Sequence, residues 1–288
     1  MNELREKAKD LLQSGTVKII IGYTGTTDPY RTKPFIARTV EDADKLVFNN
    51  YCVNNLAVYL TRKEYKQNGT VGIVAKGCDV KAIIQLIQEN QINKDDIYII
   101  GINCNGIVSE IGEEFGTETI ATKCLNCFVR TPRLQHTLIG TIEEMPKRDD
   151  VNLEQIKKLE AMTSEERWDF WEKEFARCVK CYACRQVCPL CYCERCIADK
   201  SIPQWIESSA HKRGNFSWNI IRAFHLSGRC IGCNECERAC PAEIPLSLLN
   251  RKMGMFAKKE FDYAAGMGLD TPTLVGTYKT NDREDFIK

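Results

Sequence analysis

Two stretches of this chain repeat one arrangement of cysteine: Cys178-x2-Cys181-x2-Cys184-x3-Cys188-Pro189 and Cys230-x2-Cys233-x2-Cys236-x3-Cys240-Pro241. Three thiolates on one short turning loop reach three irons of a 4Fe–4S cubane. The fourth cysteine, just ahead of a proline, ligates the other cluster of a pair. The spacing therefore predicts crossed ligand sets: Cys178, Cys181, Cys184 and Cys240 for cluster one, and Cys230, Cys233, Cys236 and Cys188 for cluster two. Zinc favours C-x2-C pairs set well apart with histidine as co-ligand, a pattern these runs lack. The chemistry such residues support is one-electron transfer.

Eight of the sixteen cysteines remain: Cys52, Cys78, Cys104, Cys124, Cys127, Cys191, Cys193 and Cys196. Two-residue spacing suits bidentate thiolate ligation, so Cys124 and Cys127 read as a ligand pair. With Cys104 and one more thiol they would make a third metal site, an iron–sulfur cluster or a structural zinc. Burial as a small apolar side chain is the ordinary alternative, and for Cys52 the better one. Cys191, Cys193 and Cys196 follow the first run directly, as candidate additional ligands that would complete the third site or tune the nearby cluster. Cys78 opens a helix beside Lys76, where a thiol is expected to have a lowered pKa. The same Lys76-Gly77-Cys78 turn could offer backbone N–H groups to a flavin phosphate, from FAD or FMN, or be a plain strand-to-helix turn. His136, His211 and His225 are scattered, and no nucleophile–base pair, P-loop or dinucleotide fingerprint appears. Basic residues gather near the runs (Arg177, Lys180, Arg185, Arg195, Lys212, Arg213, Arg222 and Arg229), where positive charge would raise cluster potentials and attract an acidic partner.

Elements must position these groups. Residues 1–150 alternate helix and strand: an amphipathic helix over Glu3–Gln13, a strand at Val17–Tyr23, helices at Glu41–Asn49 and Val53–Arg62, a strand at Val71–Ala75, a helix at Asp79–Asn90 and a strand at Asp96–Ile102. Strand, helix, strand with short connections predicts an α/β domain with a mostly parallel sheet. Cys78 and Cys104 then fall at its carboxyl edge, where α/β folds bind ligands. A charged linker is expected from Asp149. Thr163-x2-Glu166 has the form of a capping box ahead of Trp168, Phe170, Trp171 and Phe175. Residues 151–250 are expected to form an α-helical ferredoxin domain, because the long spacer between the runs has helical patterning. Residues 251–288 read as a polar C-terminal arm, packed on a partner or frayed.

With 288 residues and a net charge of +1, the chain is long enough for one or two domains and too neutral for a nucleic-acid binder. Its apolar runs are strand-sized, which predicts no membrane insertion, and the N-terminal residues lack the apolar core of an export signal. So many cysteines then point to metal ligation in a reducing cytoplasm, with an anaerobic host as the accompanying expectation.

The stretch Cys178–Leu249, ending Cys240-Pro241-Ala242-Glu243-Ile244-Pro245-Leu246, resembles the dicluster modules of heterodisulfide reductase small subunits and of Rnf-type electron-transport subunits. Cys188-Pro189-Leu190-Cys191-Tyr192-Cys193 is similar to the cysteine-rich turn in iron–sulfur subunits of anaerobic sulfite reductases and sulfhydrogenases. Upstream, Lys76-Gly77-Cys78-Asp79-Val80-Lys81-Ala82 and Tyr98-Ile99-Ile100-Gly101-Ile102 resemble the β subunits of deazaflavin-reducing hydrogenases and formate dehydrogenases. In that family the iron–sulfur segment usually precedes the α/β domain, whereas here it follows; the sheet is carried over and the deazaflavin substrate is not. The resemblances imply an electron-transfer subunit of a multi-subunit complex. Its partners would be a flavoprotein, a hydrogenase or formate dehydrogenase module, or a heterodisulfide-reductase-like subunit. The enzyme alternative makes the α/β domain a flavin site exchanging hydride with a nicotinamide or deazaflavin.

Overall fold

The computed structural model describes residues 2–65, 69–125, 127–144, 151–276 and 280. In α1 (Asn2–Gln13) the buried residues Leu4, Ala8 and Leu11 recur at helical spacing and form one apolar stripe. That stripe packs against Val17, Ile20, Leu46, Val74 and Ile100 on one face of a sheet. The chain continues through β1 (Ile19–Gly25), β2 (Thr32–Ala37), β3 (Leu46–Val47), β4 (Val71–Ala75), α2 (Gly77–Gln88), β5 (Ile97–Ile102), α3 (Thr122–Leu125) and β6 (Thr137–Ile139). Strand order is β2-β1-β4-β5-β6, with β3 also beside β1. β1, β4, β5 and β6 run parallel, and β2 and β3 pair antiparallel with β1. β4 is buried at every position, as a central parallel strand covered on both faces requires. The architecture is the α/β one expected, with a mostly parallel sheet.

Some sequence expectations are corrected. Glu41–Asn49 and Val53–Arg62 are not α-helices: each gives a short 3-10 turn, Glu41–Lys45 and Leu56–Thr61, and Leu46–Val47 joins the sheet. Asparagines punctuate this stretch. Asn49 Oδ1 accepts from Tyr51 N–H at 3.0 Å and Asn55 Oδ1 from Ala57 N–H at 3.1 Å, side-chain bonds that compete with a helix. β2 escapes a sequence reading because it carries Pro34, which an edge strand tolerates and a central one does not.

The second half is helical: α4 (Val151–Ala161), α5 (Ser164–Ala176), α6 (Ala183–Gln186), α7 (Lys212–Leu226), α8 (Glu235–Arg238) and α9 (Leu246–Phe261). The start of the expected linker, at 149–150, lies outside the described residues, and from Val151 the chain is already α4. Thr163 and Glu166 form the reciprocal cap of α5, with bonds of 3.2 and 2.7 Å. α9 runs through the expected boundary at 250. Beyond it the segment around 263–274 returns over α2: Tyr263 donates to Gln85 Oε1 at 3.2 Å, and Gln88 Nε2 donates to the carbonyl of Gly268 at 2.9 Å. Gly266, at φ +70°, packs so closely that a Cβ would meet the Lys81 carbonyl at 2.2 Å. This segment stands on its own α2 where an arm or a frayed tail was expected; residues 281–288 lie outside the described residues.

One apolar core joins the halves, running from Ile73, Ile83 and Leu86 to Leu190, Leu226 and Ile231. At its rim the Glu89 carboxylate, at the end of α2, accepts from Arg229 Nε and Nη2 at 2.6 and 2.5 Å and from the Tyr192 hydroxyl at 2.8 Å. Among the described residues no helix is long and apolar enough to cross a membrane.

Candidate metal centres at the sheet edge

Each cysteine run folds into the same loop, 52 positions apart. Lys180 and Gly232 have positive φ at matching places, as do Tyr182 and Asn234 (φ 59° and 56°), each the residue before a four-residue helix, α6 or α8. The backbone bonds match as well: Val187 to Ala183 and Ala239 to Glu235, then Cys188 to Arg185 and Cys240 to Glu237. Two left-handed residues per loop turn the chain back on itself. α5 delivers the chain into the first loop and α7 into the second.

Cys178, Cys181, Cys184 and Cys240 line one cavity, together with Tyr182, Trp218 and Asn219. Asn215, inside α7, donates to the Cys178 carbonyl at 2.6 Å, and Trp218 meets Tyr182 edge-on at 5.0 Å. Cys181 is exposed and Cys184 buried, so this cavity reaches the surface on the Cys181 side. Cys230, Cys233, Cys236 and Cys188 line a second cavity of about 690 Å³. Asn250, from α9, points an amide N–H at Cys236 Sγ, 3.8 Å away. The structure thus gathers each set of four cysteines around its own cavity.

The larger cavity extends to the carboxyl edge of the sheet, where Cys78, Cys104, Cys124 and Cys127 line it too. Cys78 follows β4 and Cys104 follows β5, while Cys124 and Cys127 sit on the crossover to β6, with Cys127 N–H donating to the Cys124 carbonyl at 3.3 Å. The sequence left the fourth thiol beside Cys104, Cys124 and Cys127 unnamed, with Cys78 expected at the same sheet edge in a flavin or metal loop. The topology supplies it, because successive parallel strands end on one edge. Among the described residues no three His, Cys, Asp or Glu side chains are drawn together closely enough for a single ion.

Burial dominates the thiols. It pushes Cys104 up to about 11, Cys184 to about 11 and Cys230 to about 12, and raises Cys78 well above the ordinary thiol range. The lowered pKa expected for Cys78 is therefore corrected: desolvation and the neighbouring Asp79 outweigh Lys76 and the helix start. Cys188 is raised first by the side-chain hydrogen bond it shares with Cys191 and then by burial. Cys52 is a core residue, its Sγ accepting from Asn49 N–H at 3.4 Å. Cys193 is exposed; Cys196, like Cys191, is partly buried, and none of these three lines either cavity.

Two buried cations stand between these groups. Arg222, on α7, is 5 % exposed, donates to the Cys184 carbonyl at 3.0 Å and leaves its Nε without a partner. Burial opposes its charge, but Cys236, Cys188, Cys184 and Cys191 surround it and hold its pKa above the guanidinium range. Lys123 donates to the Cys233 carbonyl at 2.6 Å and pairs with buried Glu235 at 3.4 Å. Burial opposes its charge as well, and Glu235 with Cys78, Cys233 and Cys124 raises its pKa. It therefore lies between the sheet-edge thiols and the second loop. The other basic residues gathered near the runs are mostly tied elsewhere: Arg185 to Asp199, Arg177 to Glu174, Lys212 to Glu172 and Arg229 to Glu89. Nothing in the sequence separated Lys123 from a surface lysine.

The Lys76-Gly77-Cys78 turn is used internally. The Lys76 ammonium donates to the Tyr23 hydroxyl at 2.5 Å and the Asn54 carbonyl at 2.7 Å, and it pairs with Asp79 at 3.1 Å. Asp79 Oδ2 also accepts from Lys76 N–H at 2.8 Å, closing the start of α2. Gly77 lies against Val129, whose carbonyl oxygen would be 1.6 Å from a Cβ. His136 stacks on Tyr98 at 4.7 Å and accepts from Ile99 N–H at 3.0 Å, a packing role.

No family model matches the chain. It is 25% identical to the F420-dependent formate dehydrogenase subunit beta of Methanocaldococcus jannaschii, over 73% of this chain and 77% of that protein. It is 22% identical to the F420-dependent formate dehydrogenase 1 subunit beta of Methanococcus maripaludis, over 93% of this chain and 91% of the relative. A chain of the F420-reducing NiFe hydrogenase complex from Methanosarcina barkeri is similar over 37% of this chain and 42% of its own, at 21% identity and a TM-score of 0.30. Along most of its length, this chain resembles the β subunits of F420-dependent formate dehydrogenases.

Proposed function

We propose that this chain is an electron-transfer subunit of a multi-subunit oxidoreductase, with one 4Fe–4S cluster on Cys178, Cys181, Cys184 and Cys240 and a second on Cys230, Cys233, Cys236 and Cys188. The observation that carries this reading is the pair of four-cysteine cavities with Arg222 buried between them, its Nε unpartnered. Among the described residues no carboxylate pairs with this guanidinium; a buried charge so placed is costly, and thiolate-ligated clusters would supply the negative charge that balances it. When bound, each cluster takes or gives one electron at a time. The chain's own residues hold the thiolates, exclude water from the inner site and set potentials: Arg222 and Lys123 by charge, Asn250 by its N–H directed at Cys236 Sγ.

A third site on Cys78, Cys104, Cys124 and Cys127 follows from the same cavity. Tetrahedral zinc at about 2.3 Å from each sulfur holds thiolates within roughly 4 Å of one another. Four thiols at one cavity suit either an iron–sulfur cluster or a structural zinc, and metal analysis distinguishes them. The path then runs from the sheet edge past Lys123 to the second loop, past Arg222 to the first loop, and to the surface at Cys181. A flavin on the Lys76-Gly77-Cys78 turn fits less well, since the ammonium is fully bonded and Val129 covers Gly77. In keeping with the relatives' names, a formate dehydrogenase module is the partner class this reading favours, with a hydrogenase module, a flavoprotein or a heterodisulfide-reductase-like subunit as the other candidates. Quantifying iron, sulfide and flavin on the anaerobically isolated full chain tests it. About eight irons and eight sulfides are expected from two cubanes, and about twelve of each with the third. Four irons or fewer, or stoichiometric zinc in the runs, would refute the two-cluster reading.

A further inference from the structure

Between the first run and α7 the chain forms a strap, residues 199–208, tied at both ends to the first cysteine loop. Asp199 pairs with Arg185 of α6, and the Ser208 carbonyl accepts from Lys180 Nζ at 2.8 Å. Beside it Ser209 packs on the start of α7, where a Cβ on Gly214 would meet the Ser209 carbonyl oxygen at 2.2 Å. Ser201 and Gln204 bridge as antiparallel partners, which puts Ile202 and Pro203 at the tip of the strap. The strap is anchored, yet its apolar side chains face water: Ile202 is 90 % exposed and Trp205 69 %. Val179, 65 % exposed, and the anchor Lys180 immediately precede Cys181, the exposed cysteine of the outer set. Large apolar side chains are costly to leave in water, and an exposed Trp is a frequent anchor of protein interfaces.

Charge around this apolar patch is one-sided. Its carboxylates are engaged within the chain: Asp199 by Arg185, Glu194 by Lys63 and Glu172 by Lys212, while Glu207 accepts from the Ser209 hydroxyl at 2.6 Å. Among the described residues Arg195, Lys200 and Arg213 have no carboxylate partner, and all three are exposed. The first turn of α7 holds Lys212 and Arg213 and no acidic residue, against the preference of a helix start. That helix end lies at the outer set, since Asn215 donates to the Cys178 carbonyl at 2.6 Å.

We infer that this face docks an acidic one-electron carrier protein, with Trp205 and Ile202 entering an apolar patch on the carrier and the exposed cations meeting a carboxylate rim. This rests on the two-cluster reading above. Once docked, one electron passes between the carrier's centre and cluster one, one being oxidised as the other is reduced, with no bond made or broken. A second copy of this chain would set the same cations against one another. A membrane surface has no use for an exposed ligand loop beneath the patch, whereas an electron carrier needs one.

Stopped-flow electron exchange between the iron-loaded full chain and a small acidic ferredoxin tests this. The wild-type rate should fall as salt rises. Trp205→Ala should slow exchange about tenfold, and Lys200→Glu combined with Arg213→Glu about as much, with a flatter salt dependence. Phe128→Ala, which removes an exposed aromatic at the sheet edge, should leave the rate unchanged. Iron content and the spectrum after full reduction with dithionite should match wild type in every variant, which separates docking from folding. Rates within about twofold of wild type in the Trp205 and charge variants overturn the inference. So does a wild type that keeps its irons but exchanges no electrons with the ferredoxin. A dimer that Trp205→Ala dissolves, or binding to phosphatidylglycerol vesicles that needs Trp205, overturns it too when the ferredoxin rate is unaffected. Wild-type protein without cluster iron would instead remove the reading on which the inference rests.

Discussion

At Arg222 and Lys123 the chain spends two buried charges in the gaps between thiol groups. A unit charge about 8 Å away at an effective dielectric near 20 is worth roughly 2 kcal/mol, or about 90 mV for one electron. Arg222→Leu should therefore lower the potentials of both clusters by several tens of millivolts, read by EPR-monitored redox titration. Arg222→Lys should recover most of the shift. Unchanged potentials in the leucine variant would mean that Arg222 only packs. At this scale the cysteines were legible, because a cubane imposes its spacing on the sequence. Arg222 could be read only as one basic residue among several near the runs, and Lys123 only as a flank of Cys124. Whether such a side chain is buried depends on the α7 packing and the α3 crossover, which no local pattern records.

Among elements, the two loop-and-helix copies and the sheet edge do the positioning, and α2 fastens them together. Its last turn ends in Glu89, which holds Arg229 and Tyr192 of the helical half. Burial would raise the Glu89 carboxyl, but its bonds to Arg229, Gln85 and Tyr192 hold it below the ordinary range. A lowered carboxyl contributes stability that is present above its unfolded pKa and lost as pH falls through the folded value. Glu89→Ala should cost roughly 2–3 kcal/mol, since a charged hydrogen-bonded partner is removed from a partly buried site. Thermal unfolding at pH 7 checks this, and the gap between variant and wild type should narrow as pH falls toward 4. The strands β1, β4 and β5 and the helices α1 and α2 were readable from apolar periodicity. The 3-10 turns were not, because their apolar residues mimic a helix while Asn49 and Asn55 divert the backbone. β2 was hidden by Pro34, and β6 by having only three residues.

As a whole, the molecule buries many thiols where two halves meet, and that shapes its behaviour without metal. Desolvation raises Cys78, Cys104, Cys184, Cys230 and Cys233 above their unfolded values. As pH rises through about 8.5–9, unfolded thiols ionise first while folded ones stay protonated, so the unfolded state binds fewer protons and stability falls. Metal-free protein should lose thermal stability steadily from pH 8 to 10. Metal-loaded protein should not, because its ligating thiols are already deprotonated. Parallel melting curves of the two forms decide it. The central claim is that two clusters sit side by side on crossed ligands within one chain. EPR spectroscopy of the fully reduced, anaerobically isolated chain addresses it most directly. A spectrum integrating to about two spins per chain, or about three with the sheet-edge cluster, broadened by coupling between neighbouring clusters, is the predicted result. A single uncoupled spin, or none, would contradict the account.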